Sequence, residues 1–388
     1  MMLGKTLLVI GLLSLVPVLT AINYPDEDDD ILENVDDLLD EWNEEMELDG
    51  VLEGGFRLQK RYVRDYLDPY DWYRGDEFKR RYRFTKEIVR HYIVELIRDE
   101  LDHADRRGLP VPPELAVVMA LRFLATGDIQ QVIGDLRGFS QSTACRCINN
   151  VCRALAHLLH SFVKFPSTTR EQLVNIQLFY NIAGFPGVAA AIDGTHIPII
   201  CPSREFGEIF RNRKGYFSLN ILVAVDAKGR ILFIDVRHPG SAHDATCFDR
   251  SALKVMFQEH WVEGLLIGDN GYGNYPYLLV PYVIRDTEEK VVYSECQIAT
   301  RNPVERFFGR WKKMFACLKR GLRNYIDNTI SIICAAAVLW NIHMDFNYPN
   351  DYDIQNLIVE EEALAIPPLP GMSGLAYREA FVREHFNL

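Results

Sequence analysis

The sequence predicts an α/β protein with a mixed sheet and flanking helices, preceded by an all-α domain of helix-turn-helix type. Three observations lead there. Apolar positions recur at helical spacing from about 75 to 165. From about 186 to 285 the texture changes to short apolar or alternating runs bounded by Gly, Asp or Pro. The chain has 388 residues, 48% of them apolar, which is enough for two compact domains plus tails.

Residues 1–22 carry one Lys and then an uncharged apolar stretch, the pattern of a signal peptide, a short anchor or an upstream artefact of the gene model. They are left out of the fold. Residues 23–60 are acidic: fourteen Asp and Glu and no Lys or Arg lie between Pro25 and Gly50, so disorder is expected. The helical domain spans 70–165. In "TKEIVRHYIVELIRDELD", Ile88, Tyr92, Ile93, Leu96 and Ile97 share one face. "PPELAVVMALRFLAT" then opens with Pro where a helix tolerates it. The α/β domain spans 170–348. Its strands are "VAAAIDGTHIPII", "FSLNILVAVD", "GRILFIDVRH" and "GLLIGDN", with a helix at about 243–258 between the third and fourth. A further helix is expected to start near Pro303, and another covers "NTISIICAAAVLWNIHMDF". Residues 349–388 form an acidic tail with room for a short helix at 375–386.

The formal net charge of −12 conceals an asymmetry. The acids concentrate at the two ends, and residues 54–349 hold 39 basic against 32 acidic residues. A mildly basic body is compatible with a polyanionic partner. The eight cysteines form no CxxC pair, and a chain this long needs no disulfide staples, so reduced intracellular thiols are expected. Beyond residue 22 no second apolar run is expected to span a bilayer, and no stable membrane association is expected.

Segments 128–137 and 141–158, joined through Gly138-Phe139-Ser140, read as a helix-turn-helix with Ser140 as N-cap. In the second helix Ile148, Val151, Leu155, Leu158 and Leu159 form the apolar stripe. Arg146, Asn149, Asn150 and Arg153 lie opposite, and Arg and Asn suit bidentate contacts to base edges. A plain bundle with a solvated polar face fits the same pattern.

Four carboxylates recur at strand ends or helix starts. Each has a plain explanation: hairpin turns at Asp193 and Asp269, a capping box at Asp244, a first-turn acid at Glu305. Together they suggest more. If the strands order as in an RNase H-like sheet, Asp193 on the first strand lies beside Asp269 at the end of the fourth, and Glu305 enters from the following helix. Three clustered carboxylates repel by roughly 4 kcal/mol per pair at an effective dielectric near 20. Such a cluster needs raised pKa values or cations, and oxygen-only ligands point to Mg²⁺ or Mn²⁺. Two such ions can activate a water or 3′-hydroxyl and stabilise the leaving oxygen of a phosphodiester.

The stretches "FPGVAAAIDGTHIPI", "NRKGYFSLNILVAVD", "HPGSAHDATCF", "GDNGYGNYPYLLVPY" and "TRNPVERFFGRWKKMF" resemble the PIF/Harbinger transposase family, and in particular its domesticated, transposase-derived nucleases. The likeness is strong over about 180–325, weaker over 75–165 and absent over 1–60. It implies a DDE triad of Asp193, Asp269 and Glu305, with Asp244 a further metal-ligand position. It also implies a DNA substrate, a Myb/SANT-like partner protein and a nuclear location, against which the apolar segment 1–22 argues. Ser294 and Gln297 depart from the Asn and His usual in the family. Among basic residues, Arg211, Arg213 and Lys214 offer cations for phosphates, and Lys312, on the same helix face as Glu305, is placed to hold DNA. His196 and His243 are either ligands, partners of ligands, or histidines satisfied within the fold.

The expected activity is therefore that of a metal-dependent DNA endonuclease or strand-transfer enzyme. A non-catalytic DNA-binding or regulatory adaptor is the first alternative, and an acid/base hydrolase with paired carboxylates and no metal is the second. A phosphohydrolase built on His243-Asp244 is excluded by context, because those sites need several His ligands on helices.

Overall fold

An eleven-residue strand, β1 (Val188–Pro198), organises the molecule. Its first five residues are all buried, as the apolar run predicts. The protein is described here by a computed structural model covering residues 68–102, 111–128, 140–203, 207–347, 358–368 and 371–387. The apolar segment 1–22, the acidic region 23–60, and all but Asp128 of the first helix expected in the helix-turn-helix lie outside the described residues.

On one side β1 pairs antiparallel with β2 (Ser218–Val225), which pairs antiparallel with β3 (Ile231–Pro239). On the other side it pairs parallel with β4 (Leu265–Ile267), and β4 with β5 (Leu278–Leu279). The resulting order β3-β2-β1-β4-β5 is the RNase H-like arrangement. The short β5 was not expected, because two residues carry no periodicity. The sheet is covered on both faces. Val188, Ala191, Leu219, Ile221 and Val223 face one core, while Ala190, Ile192, Leu222 and Ala224 face the other. That two-sided burial is why β2 is buried at every position.

The helical segment contributes α1 (Gly75–Tyr82), a helical run from Lys86 to Asp102, α2 (Pro113–Thr126) and α3 (Gln141–His157). Within the run, Val89–Ile93 winds as a π-helix. Val89, Ile93, Val94 and Ile97 are fully buried, while Ile88, Tyr92 and Leu96 only flank the core. The wider turn shifts the buried face relative to the regular spacing. Ser140 caps α3 as expected, its Oγ accepting from Thr143 N at 3.2 Å. Ile148, Val151 and Leu155 are fully buried, and α3 packs on α2 and on α8 (Ile326–Asn347). Before the sheet, α4 (Thr169–Ala183) opens with a capping box between Thr168 and Glu171.

Several expectations need correction. Asp193-Gly194 makes no hairpin, since β1 runs straight through it. The helix at 243–258 is two helices, α5 (Asp244–Asp249) and α6 (Ala252–Gln258). Ser251 separates them, its Oγ donating back to Phe248 O at 2.7 Å and capping α6. The helix expected to start at Pro303 instead runs over α7 (Glu288–Met314), with Thr287 as its cap and Pro303 inside. A Pro inside a helix costs about 3 kcal/mol. Burial of Tyr293, Val304, Phe307 and Trp311 along the same helix offsets that cost.

Among the described residues α8 is one helix long and apolar enough to cross a membrane, contrary to the expectation of no second such run. In this fold 72% of its most apolar window is buried, and it serves as the core helix on which α3 and β3 pack. In the tail, α9 (Gly374–His385) is capped by Ser373 and buries Tyr377 and Phe381.

Candidate active site

Asp193 follows the buried run of β1 and sits in register with Val223 of β2. Its carboxylate accepts the Gly194 N–H at 2.8 Å and faces the Arg301 guanidinium at 3.5 Å. Burial raises its pKa to about 7. Arg301 and the Gly194 N–H oppose the rise, and the charges of Asp269 and Asp244 add to it.

The parallel pairing of β1 with β4 brings the second carboxylate alongside. Asp269 follows β4 by two residues, its Oδ1 accepting the Gly271 N–H at 2.9 Å, so it is also the turn residue that the sequence allowed. Gln297 of α7 donates to the Gly268 and Leu279 carbonyls, at 2.8 and 3.2 Å, and fixes the strand end that carries Asp269. One helical turn on, Arg301 reaches Asp193. A turn further, Glu305 Oε1 accepts from Arg301 Nη2 at 2.6 Å. Arg301 thus bridges two of the expected triad, its side chain only 12% exposed and its Nε buried without a partner.

Asp244 approaches from elsewhere. Neighbouring residues of a strand point to opposite faces, and a Cβ added to Gly194 would lie 2.2 Å from Asp244 Oδ1. Asp244 therefore rests on the face of β1 opposite Asp193. Asn220 Nδ2 holds it at 2.8 Å, while Asn220 Oδ1 is buried with no partner. The capping-box alternative is not realised, because His243 is the N-cap of α5 and makes no side-chain cap bond. His196 Nδ1 pairs with Ser218 Oγ at 3.0 Å, and burial lowers its pKa.

The expected cations divide into anchored and exposed groups. Lys312 Nζ donates to Thr195 Oγ1 at 2.7 Å and to His196 O at 3.0 Å, just beyond Asp193 on β1. Burial and the charge of Lys214 lower its pKa to about 8. Arg211 is held by Glu208, the Gly215 carbonyl and the Phe217 ring. Arg213 and Lys214 are exposed on the turn that follows. On α3, Arg146 and Arg153 are exposed, and Asn149 Nδ2 faces Cys145 Sγ at 3.5 Å. These three lie on a different element from the carboxylates.

Residues 192–341 match the family described as DDE superfamily endonuclease. The protein named "Putative nuclease HARBI1" of Homo sapiens is 31% identical over 268 residues, 68% of this chain and 76% of that protein. Its namesake in Xenopus laevis is 29% identical over 312 residues, 79% and 89%. "Antagonist of like heterochromatin protein 1" of Arabidopsis thaliana is 24% identical over 293 residues, 69% and 73%. No solved structure matches the chain. The chain belongs to the Harbinger-transposase-derived DDE endonuclease family.

DDE superfamily endonucleases use divalent metals. Among the described residues no three His, Cys, Asp or Glu side chains form a ready-made metal centre, and Arg301 supplies the positive charge between Asp193 and Glu305. The surroundings nevertheless fit a hard cation. Asp193, Asp269 and Glu305 offer oxygen donors only, the chemistry a hard cation takes. Asp193, Asp269 and Glu305 would hold the family's metal, while Asp244 stands on the other face of β1, not in the position of a fourth ligand that the resemblance implied. When bound, the metal supplies charge to ionise a water and to stabilise a departing oxygen.

Sequence reasoning missed Arg301 and Gln297 as parts of this candidate site, and Asn220 as the partner of Asp244. Gln297, Arg301 and Glu305 are spaced by four, one face of one helix. That stripe is legible only if the helix is taken to begin before Pro303.

Proposed function

We propose that this chain is a divalent-metal-dependent DNA endonuclease or strand-transfer enzyme. In this reading, Asp193, Asp269 and Glu305 act in a two-metal cleavage of phosphodiester bonds, with Mg²⁺ or Mn²⁺ as the ion. The observation that carries it is the partly buried Asp193 on β1, with a pKa near 7, set beside Asp269 at the end of the parallel strand and joined to Glu305 through Arg301. A carboxyl so placed gains most from a nearby cation. Lys312, Arg213 and Lys214 would meet phosphates near the cleaved bond. Arg146, Asn149 and Arg153 on α3 would contact DNA or, if a Myb/SANT-like partner supplies DNA binding, that partner. The work implies a nuclear location.

The test is cleavage of supercoiled and linear DNA by the full chain in Mg²⁺ or Mn²⁺, beside Asp269→Asn. We expect cutting that requires the metal and is lost in the variant, by a factor of at least about 10³. Cutting that survives EDTA would instead support the metal-free acid/base hydrolase.

A regulatory adaptor is the second reading. It is favoured by the Arg301 guanidinium between Asp193 and Glu305, and by the name of the Arabidopsis relative, an antagonist of a heterochromatin protein. Absence of cutting by both proteins, with metal binding retained, would support it.

A further inference from the structure

A second cluster of cations lies along α7 from Glu305, on another face of the helix. The turn between β2 and β3 and the C-terminal half of α7 border an open cleft of about 460 Å³, lined by Ala227, Lys228, Pro303, Arg306, Gly309 and Arg310. Three of these six are cationic and none is acidic. Arg306 directly follows Glu305 in the chain, and Arg310 lies about 7.5 Å further along the axis than Glu305.

Among the described residues, three acids near this cleft in sequence or contact are engaged elsewhere. Asp226 is turned into the hairpin, where its Oδ1 accepts the Lys228 and Arg230 N–H groups at 2.9 and 2.8 Å. Asp345 is paired with Arg230. Glu305 is paired with Arg301. Arg306 has no hydrogen-bonding or ionic partner among the described residues, and Arg310 has no acidic one. Both are exposed, and two Arg at i and i+4 on a helix surface repel mildly, so an anion bound between them would be favoured.

Arg310 is also held in place. Its Nη2 donates to Lys228 O at 3.0 Å, and its guanidinium carbon lies 5.6 Å from the Trp340 ring centre. Trp340 is in turn fixed by donating its Nε1–H to Gly229 O at 2.8 Å. Gly229 has φ +88°, and a Cβ there would stand 2.7 Å from Arg310 Nη2, so the turn is shaped to admit the guanidinium. A planar fork held on rigid elements suits the oxygens of a phosphodiester.

We propose that the Lys228–Arg306–Arg310 cleft is a phosphate subsite. Resting on the DNA reading above, it takes the backbone of the duplex beside the bond held at Asp193, Asp269 and Glu305. It positions without reading sequence.

The test uses the full chain carrying Asp269→Asn, in EDTA so that no cutting occurs. Its affinity for a fluorescent 30-base-pair duplex is followed by anisotropy from 50 to 300 mM KCl. Each phosphate contact adds about 0.9 to the steepness of log K against log[salt]. Arg306→Gln and Arg310→Gln should each flatten the slope by about 0.9, and the double variant by about 1.8, equally for duplexes of unrelated sequence. Arg383→Gln on α9 should leave it unchanged, and thermal melting of each variant checks folding. Unchanged slopes in folded Arg306→Gln and Arg310→Gln would overturn the subsite, as would a parent that does not bind the duplex. A parent that binds with the expected slopes, while wild type fails to cut in metal, would sustain the subsite and sink only the catalytic reading.

Discussion

Below about pH 7 Asp193 keeps its proton, and a cation binding there would displace it. With a pKa near 7 in the metal-free protein against an ordinary 3.8, it is largely neutral at pH 6 and largely ionised at pH 8. Between those two pKa values the folded chain binds more protons than the unfolded chain. This carboxyl therefore costs stability as pH rises from about 4 to 7. A bound cation reverses that cost by favouring the anion. We expect Mg²⁺ or Mn²⁺ affinity to rise by about tenfold per pH unit below 7 and to level off above it, with release of one proton per site. Titration calorimetry in two buffers of different ionisation enthalpy measures both quantities. Asp193→Asn should flatten the dependence. A metal affinity indifferent to pH in the wild type would remove Asp193 from the ligand set. At this same scale, Arg301 contacts both Asp193 and Glu305 and opposes the rise in the Asp193 pKa.

At the scale of elements, α7 carries the site on one face and the core on another. Gln297, Arg301, Glu305 and Lys312 look toward the end of the sheet, while Phe307 and Trp311 stack at 5.4 Å and are buried. The core side is tied down by α8. Trp311 Nε1 donates to Ala336 O at 3.2 Å, and Asn341 joins three segments at once. Asn341 Nδ2 donates to Phe162 O and Ile231 O, each at 2.8 Å, and its Oδ1 accepts the Ile231 N–H at 3.0 Å. Removing that side chain leaves buried backbone groups unpaired, each worth about 1–3 kcal/mol. Asn341→Ala should therefore lose roughly 2–4 kcal/mol in urea unfolding, through the midpoint and not the slope. A loss under about 0.5 kcal/mol would mean that water replaces the amide.

On the scale of the whole molecule, the acidic tail is part of the fold. Phe381 and Phe386 join Phe185 and Tyr293 in one aromatic cluster, with ring centres 5.3–6.3 Å apart. The Gly187 N–H, one residue before β1, donates to Ala363 O at 2.8 Å. The tail thus braces the start of the strand that carries Asp193. Phe381→Ala should lose about 3–5 kcal/mol, seen as a lower melting temperature by circular dichroism. An unchanged melting temperature would show that the cluster is dispensable. The helical segment joins in the same way, with Phe84, Ile148 and Leu155 in one core with Ile221, Trp311 and Trp340.

Much of this was legible in the chain itself. The runs "VAAAI" and "LNILVAV", short and bounded by turn residues, read as strands buried on both faces, which sets Asp193 at the edge of a buried run. Ser140, Thr168 and the glycine turns mark their elements by local chemistry, which acts within a few residues and so is written in sequence. The start of α7 was not legible, because Pro303 looks like a helix start until burial of its neighbours outweighs it. Nor was β5, whose two residues are strand only because β4 lies alongside. Arg301 between Asp193 and Glu305, Asp244 on the far face of β1, and the cation cleft beside the hairpin depend on which surfaces meet. Those meetings join residues from about 50 to more than 100 apart in the chain, so only the tertiary structure could decide them.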